Sequence, residues 1–412
     1  MTINFKSLLC TISDALDYVE GSLLGATQNH SKRVAYMSAE IGKKAGLSNS
    51  ELSDLSACAL LHDNALTEYI HDEEAAGFNI LMHPEQTKLG SHCIIGERNV
   101  SCLPLYARIP NVILYHHERP DGKGPFGKTS AEIPLFSRII HLADLVDIGF
   151  PPDKYGDSFQ QQMATFIRKY ENVHFDSQIV GFFFSCLDDG IITDIRNNEI
   201  ERLLDNSFPE KSFNYNKEQI ISVASLFAKI IDYKSTFTSY HSTGIAQKAL
   251  KMAEFYGWDN DTQAEFYFAA ALHDIGKLAI ETEILEKPAG LTDKEYVRMQ
   301  DHVSITWQML KKIEGFEHIS EWASYHHEKL DGTGYPFKKT AAELSQPARL
   351  MACLDIYQAM TEDRPYRKEL THTEAVTFLR KQADMGKLDK QCVEDINMCL
   401  AQSAPRTQPP SA

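Results

Sequence analysis

The chain has 412 residues, 43% of them apolar and 24% charged, with a formal net charge of −16. That length allows two domains of roughly 200 residues that each bury a core. The acidic balance argues against a nucleic-acid polymer as partner, because neutralising a phosphate backbone needs a broad basic face.

In chain order, the N-terminus lacks a basic region followed by a long apolar core, and no apolar run reaches the roughly 18 residues of a membrane span. The longest candidate is Ile179 to Leu187. Eight cysteines without a Cys-x-x-Cys pair read as reduced thiols, so a cytoplasmic protein without membrane contact is expected. Most of the chain reads as helical. Gln178 to Cys186 fits a buried helix or a strand equally well, and the polar, Pro-containing stretch from Asn206 to Asn216 suits a linker. Domains of residues 1–205 and 206–412 are therefore expected. Residues 261–274 carry apolar positions at helical spacing after a Thr262/Glu265 capping pair, which puts His273 and Asp274 at a helix C-terminus. Thr292 and Glu295 open a further helix running to about Lys312, with His302 near its middle. A helix ending at His326 and His327 leads into a Gly- and Pro-rich loop, and another beginning near Glu343 holds Arg349 and Asp355. The Pro-rich tail from Ala404 to Ala412 is the one low-complexity tract.

A repeat runs through these elements. His30, His62, Asp63, His92, His116, His117 and Asp144 recur as His241, His273, Asp274, His302, His326, His327 and Asp355, at offsets of 210 or 211 residues. Ten of the sixteen histidines belong to the pattern, while His71, His83, His141, His174, His318 and His372 lack partners and read as ordinary histidines. A single His-Asp pair arises by chance, but seven ligand-type residues recurring in order do not.

Histidine recurring with aspartate is the donor set of a metal site. A carboxylate next to an imidazole can bind one cation through each oxygen, so Asp274 can join an ion held by His241, His273 and Asp355 to one held by His302, His326 and His327. Two such ions roughly 3.5 to 4 Å apart activate water and clamp the oxygens of a phosphoryl transfer. With no thiolate in the pattern and imidazoles outnumbering carboxylates, iron, manganese, cobalt, nickel and zinc are all reasonable and the ligand set does not choose among them, although iron or manganese is expected first.

His273-Asp274-Ile275-Gly276-Lys277, His326-His327-Glu328 running to Gly334-Tyr335-Pro336, and Asp363-Arg364-Pro365-Tyr366-Arg367 resemble the signature of the HD-GYP phosphodiesterases. The resemblance is full from about Ile230 to Arg380. It implies an all-α fold of two tandem HD-superfamily domains and metal-dependent hydrolysis of a bacterial cyclic dinucleotide to a linear 5′-phosphorylated product. It further implies catalytic roles for Asp274 and Lys277, and substrate contacts from Lys277, Tyr335, Arg364 and Arg367. A cation at Lys277 offsets charge on the phosphoryl oxygens, guanidinium forks suit phosphates, and Tyr335 can stack on a base. Similarity to tandem members favours 3′3′-cyclic GMP-AMP over cyclic di-GMP. Some members add a glutamate four residues before the first histidine and hold three metals; Phe237 and Ala26 stand there, so two ions per active domain are expected.

The N-terminal copy keeps the seven ligands, a second metal site, but Leu66, Pro125, Asp153 and Gly156 replace Lys277, Tyr335, Arg364 and Arg367. It is expected to be degenerate, serving stability, regulation or homodimerisation. The competing readings are a regulatory protein that binds a cyclic dinucleotide with little turnover and an HD-superfamily nucleotidase.

Overall fold

A computed structural model describes residues 2–24, 27–66, 68–69, 90–106, 109–151, 159–196, 199–209, 212–234, 241–362 and 368–401. Arg364, Arg367, Phe237, Ala26, Asp153, Gly156, His71, His83 and the Pro-rich tail lie outside these residues. The chain divides into two compact units, Met1–Tyr215 with Lys312–Gly315, and Asn216–Lys311 with Phe316–Ala412. The division falls ten residues beyond the expected 205/206 boundary. Much of the stretch read as a linker is structured: α9 runs to Ser207, and Ser212–Asn214 forms a strand paired antiparallel with Thr2–Asn4.

The first unit holds β1 (Thr2–Asn4), α1 (Phe5–Leu24), α2 (His30–Lys44), α3 (Asn49–Leu60), α4 (Gly90–Val100), α5 (Leu135–Gly149), α6 (Phe159–Lys169), α7 (Ser177–Asp188), α8 (Ile191–Arg196), α9 (Ile200–Ser207) and β2 (Ser212–Asn214). The second holds α10 (Lys217–Asp232), α11 (His241–Phe255), α12 (Asn260–Leu272), a 3₁₀ turn (Ile275–Ala279), α13 (Thr282–Leu285), α14 (Asp293–Leu310), α15 (Glu317–Ser324), α16 (Gln346–Met360), α17 (His372–Asp384) and α18 (Lys390–Leu400). Apart from the short β1/β2 pair the described elements are helical, as expected. The Gln178 to Cys186 ambiguity resolves to helix α7, capped by Asp176.

Local chemistry sets the starts that matter for the site. Thr292 and Glu295 cap α14 reciprocally as read from sequence. Helix α12 instead starts one turn earlier than its suggested pair implies, because the Asp259 carboxylate accepts from the Thr262 N–H. Helix α16 begins at Gln346, with Pro347 in its first turn, and not at Glu343. Glu343 is committed elsewhere: its carboxylate accepts from the Thr340 N–H and hydroxyl.

Helices α11 and α2, which open on His241 and His30, are each anchored at the start by a buried acid. Asp232 accepts from the Ser242 and Thr243 N–H groups, and Asp17 accepts from the Ser31 N–H and hydroxyl. Both satisfy donors that a helix start otherwise leaves open. Helices α14 and α4 approach the chain after the His-Asp pair through complementary glycines. At Gly276 a Cβ would lie 2.0 Å from the His302 carbonyl oxygen, whereas in the first unit Gly96 supplies the space, with Ala65 opposite. The close approach is to backbone at Gly276 and to the Ile113 and Asn64 side chains at Gly96.

Candidate metal centre

In the second unit, His241 starts α11, His273 and Asp274 follow α12, His302 lies in α14, His326 and His327 follow α15, and Asp355 lies in α16. All seven residues converge. His241, His273 and Asp355 form one donor group and His302, His326 and His327 another, with donor atoms within 4.8 Å of each other inside each group. Asp274 stands between them. Its Oδ1 is 3.4 Å from His302 Nε2 and 3.9 Å from His326 Nε2; its Oδ2 is 3.3 Å from His273 Nε2 and 3.9 Å from His241 Nε2. Each carboxylate oxygen therefore faces a different group.

The imidazoles are held by their far nitrogens. Nδ1 of His273, His302 and His326 donates to the carbonyls of Ala270, Met299 and Ala323, three residues earlier in each case, at 2.8, 2.5 and 2.6 Å. That fixes the tautomer in which Nε2 presents a lone pair to the centre. His241 differs in that its Nδ1 meets Glu362 Oε2 at 3.0 Å. Sequence reading gave Glu362 no role, and the only signal for it is seven-residue spacing from Asp355, two helical turns.

The electrostatics suit cations. Burial holds His302 near pKa 4 and His327 near 3, and with the adjoining His327 ring it keeps His326 well below its ordinary value. Burial also disfavours the Asp274 carboxylate, but the His273 ring and the Lys277 ammonium beside it outweigh that and hold the group well below the ordinary carboxylate value. His241 is raised to about 10, since hydrogen bonds to Asp355 and Glu362 overcome its burial. Neither His273 Nε2 nor Asp274 Oδ1 has a hydrogen-bond partner although both are buried. Such orphaned atoms, an imidazole nitrogen beside a carboxylate oxygen, fit divalent transition metals.

Lys277 and Tyr335 stand at this centre. Lys277 Nζ is 2.5 Å from Asp274 Oδ2, with about a fifth of its side chain exposed. Tyr335 packs on His327, ring centroids 4.8 Å apart at 32°. Glu328 is a brace that sequence reading quoted but gave no task. Buried after the His-His pair, it accepts from the Phe337 and Lys339 N–H groups at 2.8 and 2.9 Å and so closes the Gly-Tyr-Pro loop. Gly334 is required inside that loop, where a Cβ would lie 2.5 Å from Glu328 Cα.

The first unit repeats the arrangement. Asp63 Oδ1 is 3.3 Å from His92 Nε2 and 3.4 Å from His116 Nε2, and its Oδ2 is 3.7 Å from His62 Nε2. Asp144 Oδ1 lies 3.4 Å from His30 Nε2, and Glu118 repeats the Glu328 brace on Phe126 and Lys128. The anchor of the first histidine has changed residue: His30 Nδ1 meets Asp147 at 2.7 Å, and Arg33 grips the same carboxylate. In the second unit the position equivalent to Asp147 is Gln358, which bonds Glu362, and the position of Arg33 is Gly244. At the Lys277 position the buried Leu66 offers no charge, and Pro125 at the Tyr335 position is exposed. The unpaired His141 is a core residue, donating Nδ1 to the His116 carbonyl at 2.9 Å.

The HD domain family model matches residues 21–179 and 225–392, so both units are matched. The chain belongs to the HD domain family, in its HD-GYP phosphodiesterase branch. It is 30% identical over 405 residues to 3′3′-cGAMP-specific phosphodiesterase 1 of Vibrio cholerae serotype O1, covering 96% of this chain and 91% of the relative. It is 34% identical over 159 residues to the cyclic di-GMP phosphodiesterase PA4108 of Pseudomonas aeruginosa, covering 38% of this chain and 37% of the relative. Among solved structures, a cyclic GMP-AMP specific phosphodiesterase of V. cholerae aligns over 98% of this chain and 99% of that one, with TM-score 0.66 and 23% identity. That likeness establishes a shared fold across both HD-GYP units.

Proposed function

We propose that this chain is a metal-dependent cyclic dinucleotide phosphodiesterase that works at the second unit's centre, opening 3′3′-cyclic GMP-AMP in preference to cyclic di-GMP and releasing a linear 5′-phosphorylated dinucleotide. The observation that carries the reading is the Lys277 ammonium beside Asp274, at the meeting point of the two donor groups, where the first unit has Leu66. The substrate preference is supported by the 30% identity to a 3′3′-cGAMP-specific relative along nearly the whole tandem chain, whereas the PA4108 match covers 38% of it.

His241, His273, Asp355, His302, His326 and His327, with Asp274 between the groups, would hold two divalent ions, iron or manganese in preference to nickel, cobalt or zinc. Bound there, such ions supply Lewis acidity toward a phosphoryl oxygen and lower the pKa of water. The chain's own groups do the rest. Backbone carbonyls keep three imidazoles turned inward, Asp274 holds the two donor groups in one rigid unit, and Lys277 meets negative charge that grows on the phosphoryl oxygens. Tyr335 backs His327 and offers an aromatic face to a base. Arg364 and Arg367 are assigned to the substrate phosphates from their motif positions. The first unit keeps ligands without the lysine and serves as a metal-competent, non-hydrolysing partner domain. A cytoplasmic setting agrees with the lack of disulfides among the described cysteines.

The test is chromatographic product analysis of purified, metal-reconstituted protein given 3′3′-cyclic GMP-AMP, cyclic di-GMP and cyclic di-AMP in parallel. A linear dinucleotide from the first, formed fastest, is expected. Binding of all three with no cleavage would replace the enzyme reading with a receptor.

A further inference from the structure

His241 cannot be held in the way that His273, His302 and His326 are. It is the first residue of α11, so no turn of that helix precedes it to supply the carbonyl three residues back on which the other three rings rest. His30 opens α2 and has the same need. Both are met by a carboxylate: Glu362 Oε2 stands 3.0 Å from His241 Nδ1, and Asp147 Oδ2 stands 2.7 Å from His30 Nδ1.

The two carboxylates come from different places, and their supports differ with them. Asp147 lies on α5, three residues after Asp144, and Arg33 grips it twice, Nε to Oδ1 at 2.6 Å and Nη2 to Oδ2 at 2.7 Å. At the positions of Arg33, Asp147 and Pro151 the second unit has Gly244, Gln358 and Glu362. Gln358 Nε2 donates to Glu362 Oε1, which fixes the carboxylate and leaves Oε2 for His241. A Cβ at Gly244 would lie 2.1 Å from Gln358 Nε2, so any larger residue there drives the amide off the carboxylate it holds. The sets do not mix. Arginine at 244 collides with Gln358, and glutamine at 147 beside Pro151 would leave His30 without that acid.

We propose that Glu362 is a positioning residue of the hydrolytic centre, with Gln358 and Gly244 as its supports. It acts on the metal group through His241, turning Nε2 toward Asp355 Oδ1, 3.3 Å away. A carboxylate behind a ligating imidazole fixes the ring and its tautomer and strengthens its donor nitrogen, and losing one costs roughly 10–100-fold in metal affinity. The second unit thus takes this anchor from just past the end of α16, while the first takes it from within α5. This inference rests on the reading that the second unit binds metal.

Chelator competition for manganese(II) on the full chain tests it, in a His62→Ala/Asp63→Ala background that silences the first unit. Glu362→Ala should weaken manganese binding at least tenfold while the urea midpoint of the metal-free protein stays unchanged. Gly244→Arg/Gln358→Asp, which grafts the clamp of the first unit, should make Glu362 dispensable, so that adding Glu362→Ala to it costs less than twofold. Gly244→Ala, a smaller change that displaces the Gln358 amide, should weaken binding severalfold with Glu362 still in place. Affinity unchanged in Glu362→Ala, or a full tenfold loss that persists in a normally folded graft, overturns the positioning role. No manganese bound in the background protein overturns the metal reading of the second unit instead.

Discussion

At the residue scale, the difference between a proposed metal ligand and a proposed substrate contact is sharpest at Asp274 and Lys277. Asp274 faces both donor groups, so its loss should remove metal and activity together. Lys277 touches the centre only through Asp274 Oδ2 and holds no position in the donor groups. For Lys277→Ala we expect metal content by plasma emission to stay near wild type while kcat falls by about 10²–10³, the usual cost of losing one donor to developing phosphoryl charge. Loss of metal in that variant would make Lys277 a structural counter-charge. The seven residues that converge were legible because the repeat exposes them. Glu328 was not, although Glu118 repeats it at the same spacing, because a carboxylate that braces a loop and one that binds a cation look alike in sequence. Its task appears only in the two backbone N–H groups it receives. Glu328→Gln turns an amide toward one of those donors and should destabilise the second unit by about 1–3 kcal/mol in urea unfolding, the cost of an unsatisfied buried group.

At the element scale, the histidines and aspartates of the centre meet because helices pack at distances that single small residues permit. Gly276 belongs to the His-Asp-x-Gly-Lys motif, and its role is contact: its N–H donates to the Thr306 hydroxyl, which in turn donates to the His273 carbonyl. In Gly276→Ala the new Cβ would meet the His302 carbonyl at 2.0 Å, so α14 must move and carry His302 away from Asp274. The expected outcome is metal affinity lowered at least tenfold with the helix content by circular dichroism unchanged; wild-type affinity would show that α14 yields without disturbing its histidine. The capped start of α14 was readable because Thr292 and Glu295 act within one turn. The start of α12 was misplaced by a turn because Asp259 caps as well as threonine does and comes first along the chain. The strand at Ser212–Asn214 could not be read, since its pairing partner lies about 210 residues away and three residues carry no periodic signal.

At the scale of the whole molecule, a chain with net charge −16 that handles an anion depends on local positive potential. Each described centre buries carboxylates beside imidazoles and leaves buried atoms unpartnered that a cation would satisfy. Chelation should therefore destabilise the two units separately, because each has its own core and its own donor set. A ligand that binds only the folded state stabilises by about 2.7 kcal/mol at a hundredfold excess over its Kd, and that contribution disappears when it is stripped. We expect calorimetry of the full chain to show two transitions that both move down on chelation and recover on adding metal. His62→Ala/Asp63→Ala should abolish the shift of one transition, and His273→Ala/Asp274→Ala that of the other together with turnover. Turnover retained in the second variant would place the chemistry in the first unit, against the leucine that stands where Lys277 stands. A single transition moved by either pair would instead mean that the duplicated units unfold as one, and that a metal bound in one half supports the fold of both.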